Sequence, residues 1–258
     1  MLTQELDRAA TRRSRLSVEF ARSDAAIHEA QALRYRIFVE ELGARIANKV
    51  EGIDRDIFDP HCEHLVVRDN RTGEIVGTYR ILPPHQARRI GGFYADEEFD
   101  LTRLYNLRDH TVELGRSCVH PDYRNGATIA LLWSGIASYM KQHEYRYLMG
   151  CASVSLGDNG VLAAHVCQLV REEHLGPIEW RVTPRCPVPP ELLTPSSITA
   201  AAPRNVPPLI KGYLRAGAVV CGEPAWDPDF NTADLFMLLA MSNLSDRHAA
   251  RFMGAQSM

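Results

Sequence analysis

The sequence predicts an α/β fold, in which strand-like and helix-like segments follow one another within one domain. Three observations support this prediction. A strand-like run from 111 to 119 leads through a turn into an apolar helix. A second strand-like run, 145–154, follows that helix directly. The 258 residues are also enough to bury one substantial core without a second domain.

The segments before the central strand predict a helix and a hairpin. Residues 16–21 alternate apolar and polar side chains, which is typical of a strand. Ser23, or the residue after it, can cap a helix whose apolar residues have helical spacing. Two β-rich runs, 63–68 and 74–82, flank the turn sequence of residues 70–73, so these runs are expected to pair as a hairpin.

The last third of the chain predicts a helix, an irregular segment and two closing strands. A helix is expected over 160–173. Eight of the 15 prolines lie in 183–208, so this segment is neither regular helix nor central strand. A short helix then begins at Pro207-Pro208 and ends at Gly217. The final strands are predicted at 219–221 and 234–240.

Composition excludes several classes of protein. A formal net charge of −3 predicts no attraction to nucleic acid or to bulk membrane. Six scattered cysteines without a C-x-x-C pair are a poor disulfide framework and fit a reducing cytoplasm. The sequence shows no signal peptide and no apolar run long enough to span a bilayer. The sequence His61-Cys62-x-His64 has no second ligand cluster, so no metal site is predicted.

Residues 1–15 form a basic arm whose arginines are accompanied by few leucines. Two interpretations stay open. The arm is either a solvated tail or a segment that contacts anionic headgroups at the inner membrane surface.

The segment that connects strand and helix carries the most informative motif. Residues 113–133 read ELGRSCVHPDYRNGATIALLW. Pro121 should end the strand because proline cannot donate to a sheet ladder. The small-residue turn then starts a helix, with Thr128 as its expected cap. Unpaired amides and the helix dipole at such a start suit a phosphate group.

This order of strand, Pro-x-Tyr-Arg, small turn and apolar helix resembles the acyl-donor-binding motif of the GNAT superfamily. Asn125, Ala127 and Ile129 stand where that motif has small glycines, and Gly126 is displaced. The loss of glycines favours a donor with one phosphate, the phosphopantetheine arm of an acyl carrier protein, over coenzyme A. The resemblance assigns donor binding to His120, Arg124, Asn125, Gly126, Ala127, Thr128 and Ser153.

A second resemblance extends over 16–252. The sequence LRYRIFVE at 33–40, followed by Asp54 and Phe58-Asp59, is similar to acyl-homoserine-lactone synthases and ornithine N-acyltransferases. The C-terminal segments PPLIKGYLRAGA and DPDFNTADLFML resemble ornithine N-acyltransferases and their hemolysin-named relatives. The resemblance implies a mixed, twisted sheet with helices on both faces. It also implies a V-shaped split between the fourth and fifth strands that holds the pantetheine arm.

The resemblance also implies roles for individual residues. Glu113-Leu114-Gly115-Arg116 matches an E-x-x-R element whose glutamate is the general base. Strand alternation would direct Arg116 to the opposite face unless a bulge intervenes. A structural ion pair between Glu113 and an arginine is the alternative to the catalytic role. Amides from Cys118 through Val119 to His120 are expected to stabilise the oxyanion, and a covalent role for the Cys118 thiol is the weaker alternative.

The substrate-binding residues that the resemblance implies are Arg34, Phe38, Asp59, Arg80, Phe99 and Asp100. An arginine suits the α-carboxylate of ornithine, and an acid suits its δ-ammonium. The carrier protein is acidic, so we expect a basic rim. Candidates for the rim are Arg124, Lys141, Arg146, Lys211 and Arg215.

The expected function is therefore transfer of a long-chain 3-hydroxyacyl group from acyl carrier protein to ornithine, with no permanently bound cofactor. The proline-rich segment is then either a surface linker or a stiff loop over the acyl tunnel. Alternatives are a synthase of N-acyl amino acid or acyl-lactone signals, an enzyme that uses a coenzyme A donor, and a non-catalytic binding module.

Overall fold

A computed structural model describes residues 14–45, 50–193 and 206–244. Ser14 and Arg15 are therefore the only described residues of the predicted basic arm. Residues 194–205 of the proline-rich segment also lie outside the described residues. The predicted domain limits, 1–15 and 16–252, stay predictions.

The described residues form one main sheet and a small two-stranded sheet. Chain order gives β1 Leu16–Phe20, β2 Glu63–Asp69, β3 Ile75–Leu82, β4 Phe99–Asp100, β5 Thr111–Val119, β6 Tyr147–Ser155, β7 Thr183–Pro184, β8 Val219–Val220, β9 Ala225–Asp227 and β10 Thr232–Ala240. The main sheet has the order β1-β2-β3-β5-β6-β10-β8, and β9 pairs with β10. All its neighbours are antiparallel except β5 and β6, so the predicted mixed sheet is confirmed. β4 pairs with β7.

The helices connect these strands. They are α1 Asp24–Tyr35, α2 Pro84–Arg89, α3 Ala95–Glu98, α4 Ala127–Gln142, α5 Val161–Glu173, α6 Pro190–Leu193 and α7 Pro208–Ala216. A π-helical turn, Arg36–Glu41, extends α1, and 3-10 turns cover Asp59–His61, Thr102–His110, Pro121–Tyr123, Ile178–Trp180 and Met241–Asn243. Within the described part of the chain, no helix is both long enough and apolar enough to cross a membrane.

Helices cover both faces of the sheet, as predicted. Leu65 of β2 belongs to the largest apolar cluster, together with Leu132 of α4. The next residue of β2, Val66, belongs to a separate cluster with Leu33 of α1. Successive residues of a strand point to opposite faces, so α4 and α1 lie on opposite sides. We call the α4 side the first face and the α1 side the second face.

The main sheet splits between its fourth and fifth strands. β5 and β6 pair only through residues 111–113 and 147–149, although each strand continues for several residues. Beyond that point β5 stays paired with β3, and β6 stays paired with β10. A Cβ atom at Gly150 would lie 2.4 Å from the Leu114 carbonyl oxygen, so only glycine allows the strands this contact. The V-shaped split is confirmed.

This contact leads to a first prediction. Gly150→Ala should destabilise the protein by about 1–3 kcal/mol, because the added methyl group meets backbone that cannot rotate away. Denaturant unfolding measures the change. Gly212→Ala in α7 is the control, since its Cβ would meet nothing within 4 Å, and it should be neutral or stabilising. Equal stability of Gly150→Ala and wild type would show that this contact does not constrain the strands.

Candidate active site

A cavity of about 360 Å³ lies in the split between β5 and β6. Its lining includes two neighbouring residues of β5 that point to opposite faces of the sheet. Glu113, like its partner Leu82, points to the second face, and Leu114 belongs to the apolar cluster on the first face. The cavity therefore passes through the sheet. Its apolar part is lined by Leu114, Leu148, Leu209, Ala218, Met237 and Leu239, and its polar part by Arg80, Glu113, Arg116, Ser153, Asp227 and Asp234.

A β-bulge in β5 brings Arg116 into the polar part. Gly115 pairs with Arg80 and Cys118 pairs with Thr78, so β5 has one residue more than β3 over this stretch. Arg116 takes up the extra length with a φ of 49°. Its side chain reaches Asp56, which also binds Arg80. The side chains of Arg116 and Arg80 therefore lie on the same face of the sheet. The bulge that Arg116 needs to reach this face is present.

A buried ion network holds the residues beside the bulge. Arg34 is 0% exposed and binds Asp54 at 2.8 Å and Asp59 at 2.7 Å. Arg80 binds Asp56 at 2.6 Å and Asp59 at 3.0 Å. Burial raises the pKa of Asp59, but Arg34 and Arg80 outweigh it and hold that pKa well below its ordinary value.

This network corrects the predicted role of three residues. Arg34 and Asp59 do not line the cavity, and their charged groups bind each other instead of a substrate. Arg80 lines the cavity, but its guanidinium is already bound to two carboxylates. The sequence placed these residues near the site and could not show that they neutralise one another.

Arg116 is held more weakly than its neighbours. Its closest carboxylate contacts are 3.5 Å to Asp54 and 3.4 Å to Asp56. Its guanidinium also lies 5.3 Å from the ring centres of Tyr94 and Phe230. Of the arginines that line the cavity in the described part of the chain, Arg116 is therefore the one able to take a new anionic partner.

Glu113 is a buried carboxyl group with an altered pKa. Its two oxygens accept hydrogen bonds from the backbone amides of Tyr94, at 2.7 Å, and Ala95, at 2.8 Å. Burial raises the pKa of Glu113 to about 7, although the two amides act in the opposite direction. Among the described residues it forms no salt bridge, so the alternative of a structural ion pair is not seen. A carboxyl that titrates near neutrality suits proton transfer.

Three further carboxyl groups lie close together, two of them (Asp227 and Asp234) in the cavity lining, and the sequence did not predict them. Oxygens of Glu98, Asp227 and Asp234 lie within 4.8 Å of one another. Burial and Asp234 raise the pKa of Glu98 to about 8, and burial raises the pKa of Asp234 to about 6. Thr232 Oγ1 donates to Asp234 at 2.7 Å. We call these three residues the carboxylate cluster; it suits an ammonium group or a hard divalent cation.

The sequence contained a signal for two members of this cluster. Asp227 and Asp234 both belong to the segment DPDFNTAD. In the structure this segment is a hairpin, with Asp227 opposite Thr232 and Asp234 opposite Ala225. A hairpin prediction would have placed the two acids close together. Glu98 ends the short helix α3, and no local pattern connects it to them.

The predicted donor-binding turn is compact and largely satisfied by its own side chains. His120 Nδ1 accepts the amide of Asp122 at 3.3 Å, so His120 is a turn residue. Asn125 Oδ1 accepts the amide of Ala127 at 3.1 Å, and Gly126 precedes α4 with a φ of 86°. Both Arg124 terminal nitrogens bind Glu41 at 2.7 Å. An incoming phosphate would have to compete with these contacts.

The predicted cap role of Thr128 and the weaker alternative, a covalent role for the Cys118 thiol, do not agree with the structure. Gly126 occupies the cap position of α4, and the Thr128 side chain is 1% exposed with its methyl group against Gly77. Its hydroxyl therefore cannot contact a donor. Cys118 is 7% exposed and lies outside the cavity lining, and burial raises the pKa of its thiol to about 12. A thiol in this state is not a nucleophile.

The three backbone amides proposed to stabilise the oxyanion do not all point towards the split. The His120 amide donates to the Val76 carbonyl oxygen at 2.9 Å, towards β3. Alternation along an antiparallel pair then directs the Val119 amide to the other edge of β5, which faces the split. The Cys118 amide points back to β3 by the same alternation. Val119 is therefore the one of these three amides that faces the split.

Phe38 and Ser153 line the cavity, whereas Phe99 and Asp100 do not. The Phe38 ring packs edge-to-face against Phe230, with ring centres 5.9 Å apart. Phe99 is 0% exposed and packs against another core aromatic ring, and Asp100 is exposed and accepts the amide of Thr102. The structure therefore does not bring Phe99 and Asp100 to the cavity, because the chain turns Phe99 into the core and Asp100 into solvent.

Comparisons with known proteins agree with this architecture. Residues 33–134 match the profile of the acetyltransferase (GNAT) domain family. The chain superimposes on FeeM, an N-acyl amino acid synthase from uncultured soil microbes, with a TM-score of 0.55 and 12% identity over 91% of this chain and 97% of FeeM. The CoA-dependent acyl-homoserine lactone synthase BjaI gives a TM-score of 0.54 and 15% identity over 94% and 89%. These two similarities show the fold.

Sequence identity is higher to a group of ornithine acyltransferases than to these two structures. An L-ornithine N(alpha)-acyltransferase of Brucella abortus is 38% identical over 256 residues, covering 94% of this chain and 90% of the relative. A protein of the same name from Rhizobium meliloti is 38% identical over 90% of this chain and 82% of its own length. Identity at this level over nearly the whole of both chains shows that the chain is an acyltransferase and belongs to the L-ornithine N(alpha)-acyltransferase family.

Proposed function

We propose that the protein transfers a long-chain 3-hydroxyacyl group from acyl carrier protein to the α-amine of ornithine, which forms lyso-ornithine lipid. The names of the relatives support ornithine as acceptor. The observation that carries the proposal is the cavity itself. It joins an arginine and two acids of the carboxylate cluster, Asp227 and Asp234, at one end to an apolar part at the other. This arrangement matches an amino acid with two amines and a long acyl chain.

The polar part can bind ornithine at three points. Arg116 is the weakly held cation, and its planar guanidinium can take the α-carboxylate in a bidentate manner. The carboxylate cluster can take the δ-ammonium, whose positive charge offsets the repulsion among the three acids. Glu113 lines the same cavity and can contact the α-amine.

Glu113 then acts as the general base. The α-ammonium loses a proton to the Glu113 carboxylate, directly or through one water, and becomes a nucleophile. Its nitrogen attacks the thioester carbonyl carbon, the C–N bond forms, and the C–S bond breaks. The second amine proton ends on the pantetheine sulfur. The Val119 amide faces the split and can donate to the oxyanion that forms during the attack.

The turn before α4 supports a donor with a single phosphate. Asn125 already uses the amide of Ala127, and Glu41 already binds Arg124. Few groups are left for the pyrophosphate of coenzyme A. We therefore propose acyl carrier protein as the partner. All six cysteines are free thiols, which supports a cytoplasmic location, where contact with the inner membrane is the expected route for the lipid product.

The test is a product assay by mass spectrometry on the purified full-length protein. Ornithine in a mixture of free amino acids meets 3-hydroxyhexadecanoyl acyl carrier protein, and the matching coenzyme A thioester is run in parallel. We expect acyl-ornithine, predominantly from the carrier protein donor. Equal rates with coenzyme A would overturn the proposed donor. Acylation of a different amino acid would overturn the proposed acceptor, and no product from either donor would overturn the reaction.

A further inference from the structure

Two tyrosine hydroxyl groups meet inside the apolar part of the cavity. Tyr79 of β3 and Tyr213 of α7 form a hydrogen bond between their phenol oxygens, and both side chains line the cavity. Tyr79 is 1% exposed, and burial raises its pKa to about 12. Burial raises the pKa of Tyr213 well above its ordinary value. Both groups are therefore neutral hydroxyls at physiological pH and can donate as well as accept hydrogen bonds.

The position of this pair is fixed from both sides. The Trp133 ring of α4 packs edge-to-face against Tyr213, with ring centres 4.8 Å apart. Tyr79 lies on β3 between Thr78 and Arg80, directly opposite the bulge in β5. Ser117, the residue after Arg116 in the bulge, forms a hydrogen bond with the Tyr79 hydroxyl and also lines the cavity. The hydroxyl pair therefore lies beside the point where the strands diverge.

The hydrogen-bonding capacity of the pair exceeds what the pair itself uses. The two phenols and the Ser117 hydroxyl have three O–H donors, and the two bonds among them use two. The neighbouring lining on this side is aliphatic, from Leu114, Leu148, Leu209, Met237 and Leu239. A further polar partner inside the cavity would therefore be favoured, since a buried hydroxyl without its full set of partners is costly.

We propose that Tyr79 and Tyr213 bind a hydroxyl group on the acyl chain close to the thioester and so select 3-hydroxyacyl donors over unsubstituted ones. This inference rests on the proposed function, because it assigns the acyl chain to the apolar part of the cavity. A donor with a methylene group at that carbon fills the same space and leaves the tyrosine hydroxyls without the added partner. Sites built to bind a substrate hydroxyl discriminate strongly against analogues that lack it.

The test compares two donors on each variant. 3-Hydroxyhexadecanoyl and hexadecanoyl carrier proteins are assayed separately with ornithine, and kcat/KM is measured for wild type, Tyr79→Phe and Tyr213→Phe. We expect the ratio of 3-hydroxyacyl to unsubstituted kcat/KM to fall about tenfold in each variant. The fall should come from slower use of the 3-hydroxyacyl donor, and use of the unsubstituted donor should change less.

Tyr139→Phe is the matched control, because Tyr139 is a buried tyrosine of α4 that does not line the cavity. Its ratio should equal that of wild type. If the pair only attaches α7 to the sheet, both donors will slow equally in Tyr79→Phe and Tyr213→Phe, and the inference is overturned. An unchanged ratio at full activity overturns it as well. Wild type that acylates ornithine from neither donor would instead overturn the proposed function, so the two failures are distinct.

Discussion

Glu113→Gln is expected to lower kcat by about 100- to 10,000-fold, because the amide cannot accept the proton of the α-ammonium. The substitution also places an amide nitrogen against one of the two backbone donors that Glu113 now binds. We therefore expect a lower melting temperature as well, with a loss of about 1–3 kcal/mol in stability. Circular dichroism at the assay temperature checks that the variant is folded.

The pH profile separates the catalytic effect from the structural one. The pKa of Glu113 is raised to about 7, so the carboxylate that accepts a proton is lost as pH falls below that value. For wild type, kcat/KM should fall about tenfold for each pH unit below about 7 and level off above it.

In Glu113→Gln this limb should be absent and the remaining rate should not follow the same titration. Glu179→Gln, at an exposed glutamate, is the control and should keep both the rate and the limb. A wild-type profile without a limb near neutrality, or a limb that persists in Glu113→Gln, would show that another group is the base.

Asp234→Asn is expected to lower kcat/KM for ornithine by about 10- to 100-fold, because it removes a charge that binds the δ-ammonium. The asparagine oxygen can still accept the Thr232 hydroxyl, so the fold should be kept. Activity with 2-aminopentanoate, which has the same chain without the second amine, should stay unchanged. The measurement is the ratio of kcat/KM for the two acceptors.

Asp229→Asn changes the same hairpin at an exposed position and should leave the ratio at its wild-type value. If kcat/KM falls equally with both acceptors in Asp234→Asn, the carboxylate cluster does not bind the δ-ammonium of ornithine. A second experiment with a chelator tests whether the carboxylate cluster binds a divalent cation and not the δ-ammonium. Loss of activity with EDTA and recovery with Mg²⁺ would show that the cluster holds a metal ion instead.

The sequence was sufficient to predict the architecture because its signals there are local. Pro121 ends β5, the apolar run after Gly126 forms α4, and Gly217 ends α7 in a left-handed conformation. The split between β5 and β6 came from the resemblance, and no local pattern would have revealed it. Gly150 is the residue that permits the close approach, and its role depends on a carbonyl 36 positions earlier in the chain.

The site was predicted less completely because its parts come from distant segments. Alternation alone would direct Arg116 away from Glu113, and the bulge that reverses this is a property of the pairing with β3. Arg34 and Asp59 read as polar residues of a binding site, yet they neutralise each other in the interior. Glu98 joins Asp227 and Asp234 only in the folded chain. The sequence therefore indicated which charged residues lie near the site, but not which of them contact each other.

The position of the acyl group in the product tests the central claim most directly. Wild-type protein is incubated with ornithine and a 3-hydroxyacyl carrier protein, and tandem mass spectrometry distinguishes acylation of the α-nitrogen from acylation of the δ-nitrogen. If the carboxylate cluster holds the δ-ammonium and Arg116 holds the carboxylate, the acyl group should be on the α-nitrogen. A product acylated on the δ-nitrogen would place that amine beside Glu113 and contradict the proposed binding of ornithine.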